Sequence, residues 1–365
     1  MKFKYLYISL FILLLTSISL IIFVTIKDRD EETKRVSNSI KNFFASSLKK
    51  EQNKLLSLAI ALSGDKEIKD AILSENETKA IKRLELINQK FSSYTNQNQL
   101  KFQIITNDKY IFARSWQSAF NGFPLWWFRD DLDDLSKNQR PKCAIEIGMM
   151  LTLRATAPII DKGKVIAYIE VIKLLNDLNL ELRESGLELI TLMDRKFLKE
   201  ASLMRENRQI DKFVVANTNS NEVYLKDLSA DNFKKLIKKR SIFIKSSLYL
   251  LEDIHNSKDK KIGYFVLVAP KKTYKKIKTD LFAFFKKSLF TNDLKINSPI
   301  SVDSSEGFKK YSDKELLKLI PKLRYEDRVV FLNRAREILK RYKKDELIDM
   351  ILDIKDKSKK VGDIR

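Results

Sequence analysis

Two arginines lie inside otherwise apolar stretches of this sequence. Arg114 belongs to IFARSW and Arg154 to LTLRATAPII, and both stretches have the composition of buried strands. A guanidinium that is removed from water needs a carboxylate or another hydrogen-bond acceptor beside it. Glu146, in the apolar stretch CAIEIGMM, is the obvious acceptor within the chain. A carboxylate on a bound small molecule is the other candidate.

Aromatic residues are concentrated near these arginines. The three tryptophans of the chain, Trp116, Trp126 and Trp127, all fall within residues 111–132. Aromatic walls and a few converging charged groups are typical of small-molecule pockets. Each feature also has a structural interpretation, because an Arg–Glu pair can simply link two strands and tryptophans can plug the open end of a sheet. Arg129, which precedes an Asp-Asp-Leu sequence, can likewise be an ordinary cap residue.

The segments around these residues predict an α+β fold. Apolar residues three or four positions apart predict a long amphipathic helix over residues 31–62, which would rise as a stalk, and a second helix over residues 66–92, in which Asn76 marks a possible break. From Leu100 onward the pattern changes to short β-like stretches, with a hairpin turn at Gly163. These stretches predict an antiparallel sheet with a long helix laid along it.

A second, weaker copy of this layout follows the first. Strand-like stretches within residues 187–269 predict another antiparallel sheet, and a basic amphipathic helix is predicted over residues 274–289. A polar linker over residues 291–311 and a helical tail over residues 312–365 complete the sequence. The tail has an apolar stripe and no feature of a site.

The N-terminal segment has the length and composition of a membrane span. No side chain from Tyr5 to Ile26 is charged, and at about 1.5 Å of rise per residue this stretch crosses a hydrocarbon core of roughly 30 Å. A cleaved signal peptide, the alternative, usually has a shorter apolar region that ends at a small-x-small site. We therefore expect an uncleaved transmembrane anchor in residues 1–29. Lysines before the span favour a cytoplasmic N-terminus, which places the bulk of the chain in a bacterial periplasm, held at the inner membrane by a single pass.

The formal net charge of +22 invites a nucleic-acid interpretation, which the sequence does not support. The lysines are spread along the whole chain beside 48 acidic residues, and no nucleic-acid-binding motif gives them a role. One basic stretch, KKTYKKIK at residues 271–278, suits anionic lipid headgroups if it returns to the membrane surface. Otherwise this stretch is a solvated helix face.

Residue counts argue against several other chemistries. A single cysteine, Cys143, and a single histidine, His255, leave no basis for a disulfide framework or for a metal site built from those residues. We expect no cofactor and no metal. The sequence pairs no nucleophile with a base and has no glycine-rich phosphate loop, so an enzyme is not expected either.

In their order and spacing, the stretches from FQIITNDKYIFARSW to IAYIEVI resemble the double-Cache (PAS-like) sensor domains of bacterial chemoreceptors and sensor kinases. The resemblance covers residues 30–180, with residues 180–275 as a second Cache-like module. The chain departs from the family pattern at Ile105, Lys109 and Ala144, where the family often has His, Gly and Gly. The residues that match the pattern are Thr106, Asp108, Phe112, Arg114, Trp116, Gly122, Phe128, Arg129, Glu146, Gly148, Leu153, Arg154, Pro158 and Glu170.

This resemblance implies a division of the chain into modules. Residues 1–29 would form the anchor and residues 30–99 the stalk and the N-terminal helices of the sensor domain. Residues 100–178 would form a membrane-distal Cache module and residues 179–290 a membrane-proximal, Cache-like module.

The resemblance also implies a periplasmic sensor of the signal-transduction or chemotaxis type, which binds a small polar metabolite that carries a carboxylate. The arginines would donate charge-assisted hydrogen bonds to that carboxylate, and Trp116 would form one wall. Glu146 would orient an arginine or meet a cationic group. The implied ligand-binding residues are Arg114, Trp116, Trp127, Arg129, Glu146 and Arg154.

Receptors of this family carry a second membrane span and a cytoplasmic output domain, for which this sequence has no counterpart. A separate signalling protein is therefore expected as a partner, and parallel stalk helices make a homodimer possible. The alternative is a scaffold or assembly protein of the envelope that binds no ligand and has inherited a sensor fold, with the tail as its interaction module.

Overall fold

The computed structural model describes residues 2–94, 100–116, 121–279, 331–332, 335–336, 339–340 and 342–348. Within residues 1–29 it describes the side chains of residues 13 and 15–17 alone. The predicted linker therefore lies outside the described residues. The same holds for most of the predicted tail and for most side chains of the predicted anchor. Within the described part, no helix has both the length and the apolar character that a bilayer crossing requires. The membrane anchor stays a prediction.

Helices and antiparallel strands alternate along the chain, which confirms the α+β fold class. The helices are α1 (Lys2–Ser63), α2 (Lys66–Leu73), α3 (Glu77–Tyr94), α4 (Asp131–Asn138), α5 (Leu175–Glu184), α6 (Glu222–Asp227), α7 (Ala230–Lys239) and α8 (Lys271–Thr279). The strands are β1 (Lys101–Thr106), β2 (Ile111–Arg114), β3 (Lys142–Ile147), β4 (Leu151–Asp161), β5 (Lys164–Leu174), β6 (Glu188–Asp194), β7 (Gln209–Ile210), β8 (Phe213–Val215), β9 (Ser241–Ile244), β10 (Ser247–His255) and β11 (Lys261–Ala269).

The strands form two sheets with the same internal order. The first, called here the distal sheet, is ordered β2-β1-β5-β4-β3. The second, the proximal sheet, is ordered β7-β8-β6-β11-β10-β9. The two-residue edge strand β7 is set aside, and the remaining strands of each sheet are numbered one to five in chain order. Their order across the sheet is then 2-1-5-4-3 in both sheets. The weak architectural repeat in the sequence therefore corresponds to a repeat in topology.

Helix α1 lies along both sheets and joins their cores into one. Its apolar stripe, which includes Val36, Ile40 and Ala59, is fully buried in a cluster that contains residues from both sheets. The rings of Phe44 in α1 and Phe265 in β11 meet edge to face at 4.9 Å between centroids. Burying a side chain of this size stabilises the fold by about 2 kcal/mol. The predicted stalk is thus packed against the chain's own sheets, and its apolar stripe is not available to a second copy of the chain.

Two other helices differ from their predicted extents. The helix predicted over residues 66–92 is divided into α2 and α3, because Glu75 adopts a left-handed backbone conformation and Asn76 starts the next helix by accepting from the backbone N–H of Lys79 at 2.9 Å. Of the basic helix predicted over residues 274–289, the structure describes α8, which begins earlier at Lys271, and the remainder lies outside the described residues.

Each sheet has a second face turned away from α1, called here its outer face. Side chains alternate between the two faces along a strand, so β4 directs Ala155 and Ala157 toward α1, and Arg154 and Thr156 outward. On the distal sheet this outer face is covered by the segment 121–138, and part of it is packed by apolar residues that include Phe123 and Leu125. The remainder of the distal outer face carries the polar side chains described next.

Candidate functional site

Four polar side chains form a row across the outer face of the distal sheet, called here the polar row. Antiparallel pairing sets Arg114 of β2 opposite Gln103 of β1, and Gln103 opposite Glu170 of β5. Glu170 in turn pairs with Thr156 of β4. Directly paired residues on antiparallel strands point to the same side of a sheet, so the row runs across four neighbouring strands.

Hydrogen bonds connect the members of the polar row. The Nε atom of Arg114 donates to Oε1 of Gln103 at 2.8 Å, and Nε2 of Gln103 donates to Oε2 of Glu170 at 2.5 Å. Thr156 donates from Oγ1 to the other carboxylate oxygen of Glu170 at 3.1 Å. All four side chains are buried, and Glu170 is fully enclosed, with 0% of its surface exposed. Such a connected network holds its members in fixed orientations.

Arg129 compensates the buried carboxylates of this site. Its Nη2 atom donates to Glu170 at 2.5 Å, and its Nε and Nη2 atoms hold Asp131 in a bidentate pair at 2.7 and 3.0 Å. Burial works to raise the pKa of Glu170, but the charges of Arg129 and Arg154 outweigh it and hold that pKa below its ordinary value. The same balance between burial and the Arg129 charge keeps the pKa of Asp131 low. Arg129 is therefore occupied by two protein carboxylates.

Arg154 lies on the same face with far weaker pairing. Its guanidinium approaches Glu170 no closer than 3.8 Å, and its Nη2 atom makes a long hydrogen bond of 3.4 Å to Thr152. The Nε atom has no hydrogen-bond acceptor among the described residues, although the residue is only 6% exposed. Burial consequently lowers the pKa of Arg154, and the nearby Glu170 offsets this only in part.

Gly148 gives the Arg154 guanidinium its space. A Cβ atom added at this glycine would lie 2.6 Å from Nη2 of Arg154. A residue with a Cβ atom at position 148 would therefore push the flexible end of the Arg154 side chain out of its observed position. Close approach of a side chain is one of the reasons that a strand end requires glycine.

Arg114 and Trp116 form the opposite side of the site. The guanidinium carbon of Arg114 stacks 4.9 Å from the centroid of the Trp116 ring, and the ammonium of Lys101 lies 5.2 Å from the same ring. Cation–π contacts of this kind stabilise a charge that is partly removed from water. Burial lowers the pKa of Arg114 to about 9, with partial relief from Glu170. Burial lowers the pKa of Lys101 as well.

A cavity of about 60 Å³ opens between these groups. That volume accommodates about four or five water molecules, which is the space needed by a small metabolite rather than by a drug-sized one. Arg114, Arg129 and Arg154 contribute charge to its lining. Its apolar lining includes Phe128 and Met150. The full lining is Lys101, Gln103, Arg114, Trp116, Leu125, Phe128, Arg129, Gly148, Met149, Met150, Thr152, Arg154, Ile172, Leu174 and Leu203.

Of the six residues singled out in the sequence, four line this cavity and two do not. Trp127 is directed to the side, where its ring packs edge to face on Phe128 at 4.5 Å between centroids. Glu146 shares the outer face but lies on the edge strand β3, and its Oε1 accepts the backbone N–H of Ser257, in the β10–β11 turn of the proximal sheet. Glu146 thus links the two sheets, and the carboxylate that meets the arginines is Glu170.

Two members of the polar row had a signal in the sequence but were not among the predicted ligand-binding residues. Gln103 and Glu170 each stand between apolar neighbours in the strands KFQIIT and KVIAYIEVIKL, the same signal that identified the arginines. Asp131 gave no such signal, because it follows a tryptophan-rich loop and begins a short helix. Among the described residues, no group of three His, Cys, Asp or Glu side chains is arranged to hold a metal ion.

No protein-family model matches this chain, and neither does any curated protein. Among solved structures, the sensor domain of DcuS from E. coli is similar, with 18% identity and a TM-score of 0.31 over 38% of this chain and 98% of that one. The sensor domain of the V. cholerae histidine kinase DctB shows 14% identity and a TM-score of 0.36 over 67% and 96% of the two chains. The ligand-binding domain of the Campylobacter jejuni chemoreceptor Tlp3, solved in complex with L-valine, shows 12% identity and a TM-score of 0.38 over 69% and 94%.

Two of these similar structures are described as sensor domains, one of them of a histidine kinase, and the third is the ligand-binding domain of a chemoreceptor. All three identities are at most 18% and all three TM-scores at most 0.38. We therefore base the functional proposal on the residues of the site.

Proposed function

We propose that this chain is a membrane-anchored extracytoplasmic sensor whose distal sheet binds a small, carboxylate-bearing metabolite in the cavity between Arg114 and Arg154. The observation that carries this proposal is the state of Arg154, a buried guanidinium with one nitrogen unpaired among the described residues and an ion-pair distance of 3.8 Å. A buried cation with so little compensation is costly, and a ligand anion would supply the missing acceptor.

The distribution of close ion pairs in the site points in the same direction. Arg129 takes the closest contacts to the buried carboxylates of Glu170 and Asp131. Glu146 acts on Arg154 through its charge, but its Oε1 accepts the backbone N–H of Ser257. A carboxylate on a ligand would give Arg154 a close acceptor, because the forked guanidinium matches its two oxygens.

The apolar part of the lining restricts the rest of the ligand. Trp116, Met150 and Leu203 border the cavity without offering a strong charge. A cavity of about 60 Å³ favours a compact ligand over a drug-sized one. A metabolite of few non-hydrogen atoms, with a carboxylate at one end and a compact remainder, fits both constraints.

Helix α1 offers a route from this cavity to the membrane. Strands β4 and β5 carry Arg154 and Glu170 on their outer face and pack Ala155 and Val171 into the core shared with α1. A ligand that shifts these two strands would shift the helix as well, because close-packed cores transmit displacement. A separate signalling protein would then detect the change in α1, or in its position within the bilayer.

A thermal-shift screen of the full chain in detergent or in nanodiscs tests this proposal. The panel should contain amino acids, organic acids and amines. We expect at least one carboxylate-bearing compound to raise Tm by about 5 °C at ~100 times its Kd. The rise in Tm on adding this compound should disappear in Arg154→Met, because methionine keeps much of the side-chain volume but lacks the guanidinium group.

A matched control is available in Arg83→Met. Arg83 also forms a bidentate pair, with Asp65 at 2.6 to 3.3 Å, but it lies between α2 and α3, outside the cavity lining. Its replacement should leave the ligand response intact. A stabilisation that survives Arg154→Met would refute the proposed site. The absence of any stabilising compound in a broad panel would favour the envelope scaffold.

The fluorescence of Trp116 provides a second measurement. Replacing Trp126 and Trp127 by phenylalanine leaves Trp116 as the single tryptophan of the chain, and this residue lines the cavity. A ligand that enters the cavity should change the emission of Trp116 with the same Kd that describes the thermal shift.

A further inference from the structure

Helix α8 presents a face of lysines. Thr273 and Ile277 are buried against the remainder of the chain, which leaves the opposite side of the helix in solvent. The exposed cations on that side are Lys271, Lys272, Lys275, Lys276 and Lys278. A cluster of lysines on an exposed helix face is attracted to an anionic membrane surface.

The position of α8 decides whether such a surface is within reach. Lys278 pairs with Glu32 of α1 at 2.7 Å, and the hydroxyl of Tyr274 lies 3.5 Å from that of Thr33. Helix α1 is continuous from Lys2 to Ser63, so Glu32 lies six residues beyond Ile26, where the uncharged stretch ends. Six residues of helix span about 9 Å, which is close to the thickness of one headgroup layer.

Three lysines of this helix have no ion-pair partner in the part of the chain that the structure describes. Lys278 has Glu32 as its partner, whereas Lys271, Lys272 and Lys275 form no ion pair with any described residue. An anionic membrane surface within about 10 Å would act on these cations, because that distance is comparable to the Debye length at physiological salt.

An exposed aromatic side chain adjoins the lysines. Phe243 of β9 is 47% exposed, and its ring meets that of Tyr274 edge to face at 5.2 Å between centroids. The turn that joins β9 to β10 begins at Lys245, two residues after Phe243, and this lysine pairs with Asp227 at 2.7 Å. Basic residues beside a solvent-exposed aromatic ring are a combination suited to the interface of a bilayer.

We infer that the lysine face of α8, together with Phe243, is a docking surface for an anionic lipid bilayer, the same bilayer that holds the anchor. This inference rests on the proposed anchoring and is independent of the ligand in the distal cavity. Docking would fix the height and the orientation of the proximal sheet above the membrane. Each lysine near an anionic surface strengthens such an association roughly five-fold, so three together contribute roughly 10²-fold.

The test uses the full chain in nanodiscs of phosphatidylcholine, alone or with phosphatidylglycerol. A fluorophore is attached at Thr279→Cys, at the end of α8, in a Cys143→Ser background, and a lipid with a nitroxide on its headgroup serves as the quencher. We expect quenching to be stronger with phosphatidylglycerol and to fall at high salt. The triple variant Lys271→Glu, Lys272→Glu, Lys275→Glu should abolish the dependence on phosphatidylglycerol.

A matched control comes from α7, where Lys234, Lys235 and Lys238 are equally exposed on the other face of the proximal sheet. Their reversal to glutamate changes the net charge of the protein by the same amount and should leave the quenching unchanged. Replacement of the α8 lysines by glutamine guards against misfolding of the charge-reversed variant, and it should weaken docking to an intermediate degree.

Three outcomes would overturn the inference. Quenching that is the same in both lipid compositions would show that lipid charge is not recognised, and it would favour an acidic protein as the partner of this face. Equal effects of the α7 and α8 variants would show that net charge alone is responsible. A full chain that does not co-purify with nanodiscs would remove the anchoring on which the inference rests, while the thermal-shift response to a ligand would be unaffected.

Discussion

The two sheets share a strand order but fill their outer faces in opposite ways. At the centre of the proximal sheet, the paired residues Leu251, Val266 and Ile190 are apolar and fully buried, and helix α7 packs over the sheet with Phe233. At the centre of the distal sheet, the corresponding strands carry the polar row, an incompletely paired arginine and a cavity.

The difference shows that this topology needs only one face of each sheet for its common core. Helix α1 covers one face of both sheets, so the outer faces are free to differ. The proximal outer face adds to the stability of the fold by burying apolar surface. The distal outer face holds buried charges, which often stabilise a fold less than apolar residues of the same volume would.

The largest effect is expected when a distal feature is placed in the proximal sheet. Val266→Glu puts a carboxylate between Leu251 and Ile190, in a cluster whose buried residues include no cation. We expect the free energy of unfolding to fall by about 4 kcal/mol or more, because the carboxylate must be buried unpaired or take up a proton. Urea denaturation measures the loss. Val266→Ala is the control, and an equal loss in both variants would show that the proximal face tolerates charge.

Removing the compensating cation from the distal sheet should have the next largest effect. Arg129→Met leaves Glu170 and Asp131 without their closest partner, and we expect a loss of about 3 kcal/mol at neutral pH. Because Arg129 holds the pKa of both carboxyls low, its contribution is present above pH ~4 and is lost as the pH falls. Measured by urea denaturation, the difference from the wild type should therefore shrink in acid.

Arg83→Met is the control for that measurement. The Arg83–Asp65 pair is partly exposed, with 23% and 14% of the two side chains accessible, so its loss should cost at most about 1 kcal/mol. If both arginine variants lost the same stability, the distal outer face would not depend on buried charge.

A smaller effect with the opposite sign is expected at Asp177, in the helix that joins the two sheets. Burial raises the pKa of Asp177 to about 6, and the neighbouring Glu181 adds to the shift while Lys173 opposes it. The folded state therefore favours the protonated form, so the stabilising contribution is complete below pH ~4 and is lost as the pH rises through about 6. Asp177→Asn should raise the free energy of unfolding by about 2 kcal/mol at pH 7.

The pH dependence provides the check on Asp177→Asn. Thermal melts between pH 4 and 7 should show a smaller decline in Tm for the variant than for the wild type. A constant difference between the two proteins across this range would contradict the assigned role of the Asp177 carboxyl.

The smallest effect is expected when the distal sheet is made to resemble the proximal one. Arg154→Met replaces a poorly paired guanidinium by an apolar side chain, while Glu170 keeps Arg129, Gln103 and Thr156. Without ligand, we expect the variant to be more stable than the wild type by about 1 kcal/mol. Differential scanning calorimetry measures this gain. A clear loss of stability would indicate that Arg154 is a structural residue.

Much of the fold could be predicted from the sequence because the periods of its apolar residues are local. The stripe from Val36 to Leu62 repeats every three or four residues and predicted a long helix, and the strands of both sheets were visible as short apolar stretches. The break at Asn76 was visible as well. The helices α6 and α7 had no such prediction, because their apolar residues acquire their role only by covering the proximal sheet.

The kinds of residue in the candidate site were predicted, but only some of the individual residues were. A lone polar residue in an apolar strand can be recognised from sequence, and Arg114 and Arg154 were identified by that signal. Trp127 was selected because tryptophans cluster, yet the loop directs Trp116 to the cavity and Trp127 to Phe128. Which way a loop side chain points depends on backbone angles that composition does not determine.

By itself, the sequence determined which faces of the strands are polar, because side chains alternate with a period of two and a lone charge in an apolar strand must be buried with a partner. Only the tertiary structure decided which partner that is. The order 2-1-5-4-3 sets β5 between β1 and β4, so Glu170 lies among the arginines, while β3 lies at the edge and Glu146 turns to the proximal sheet. Pairing between distant strands follows from packing of the whole sheet, which no local pattern encodes.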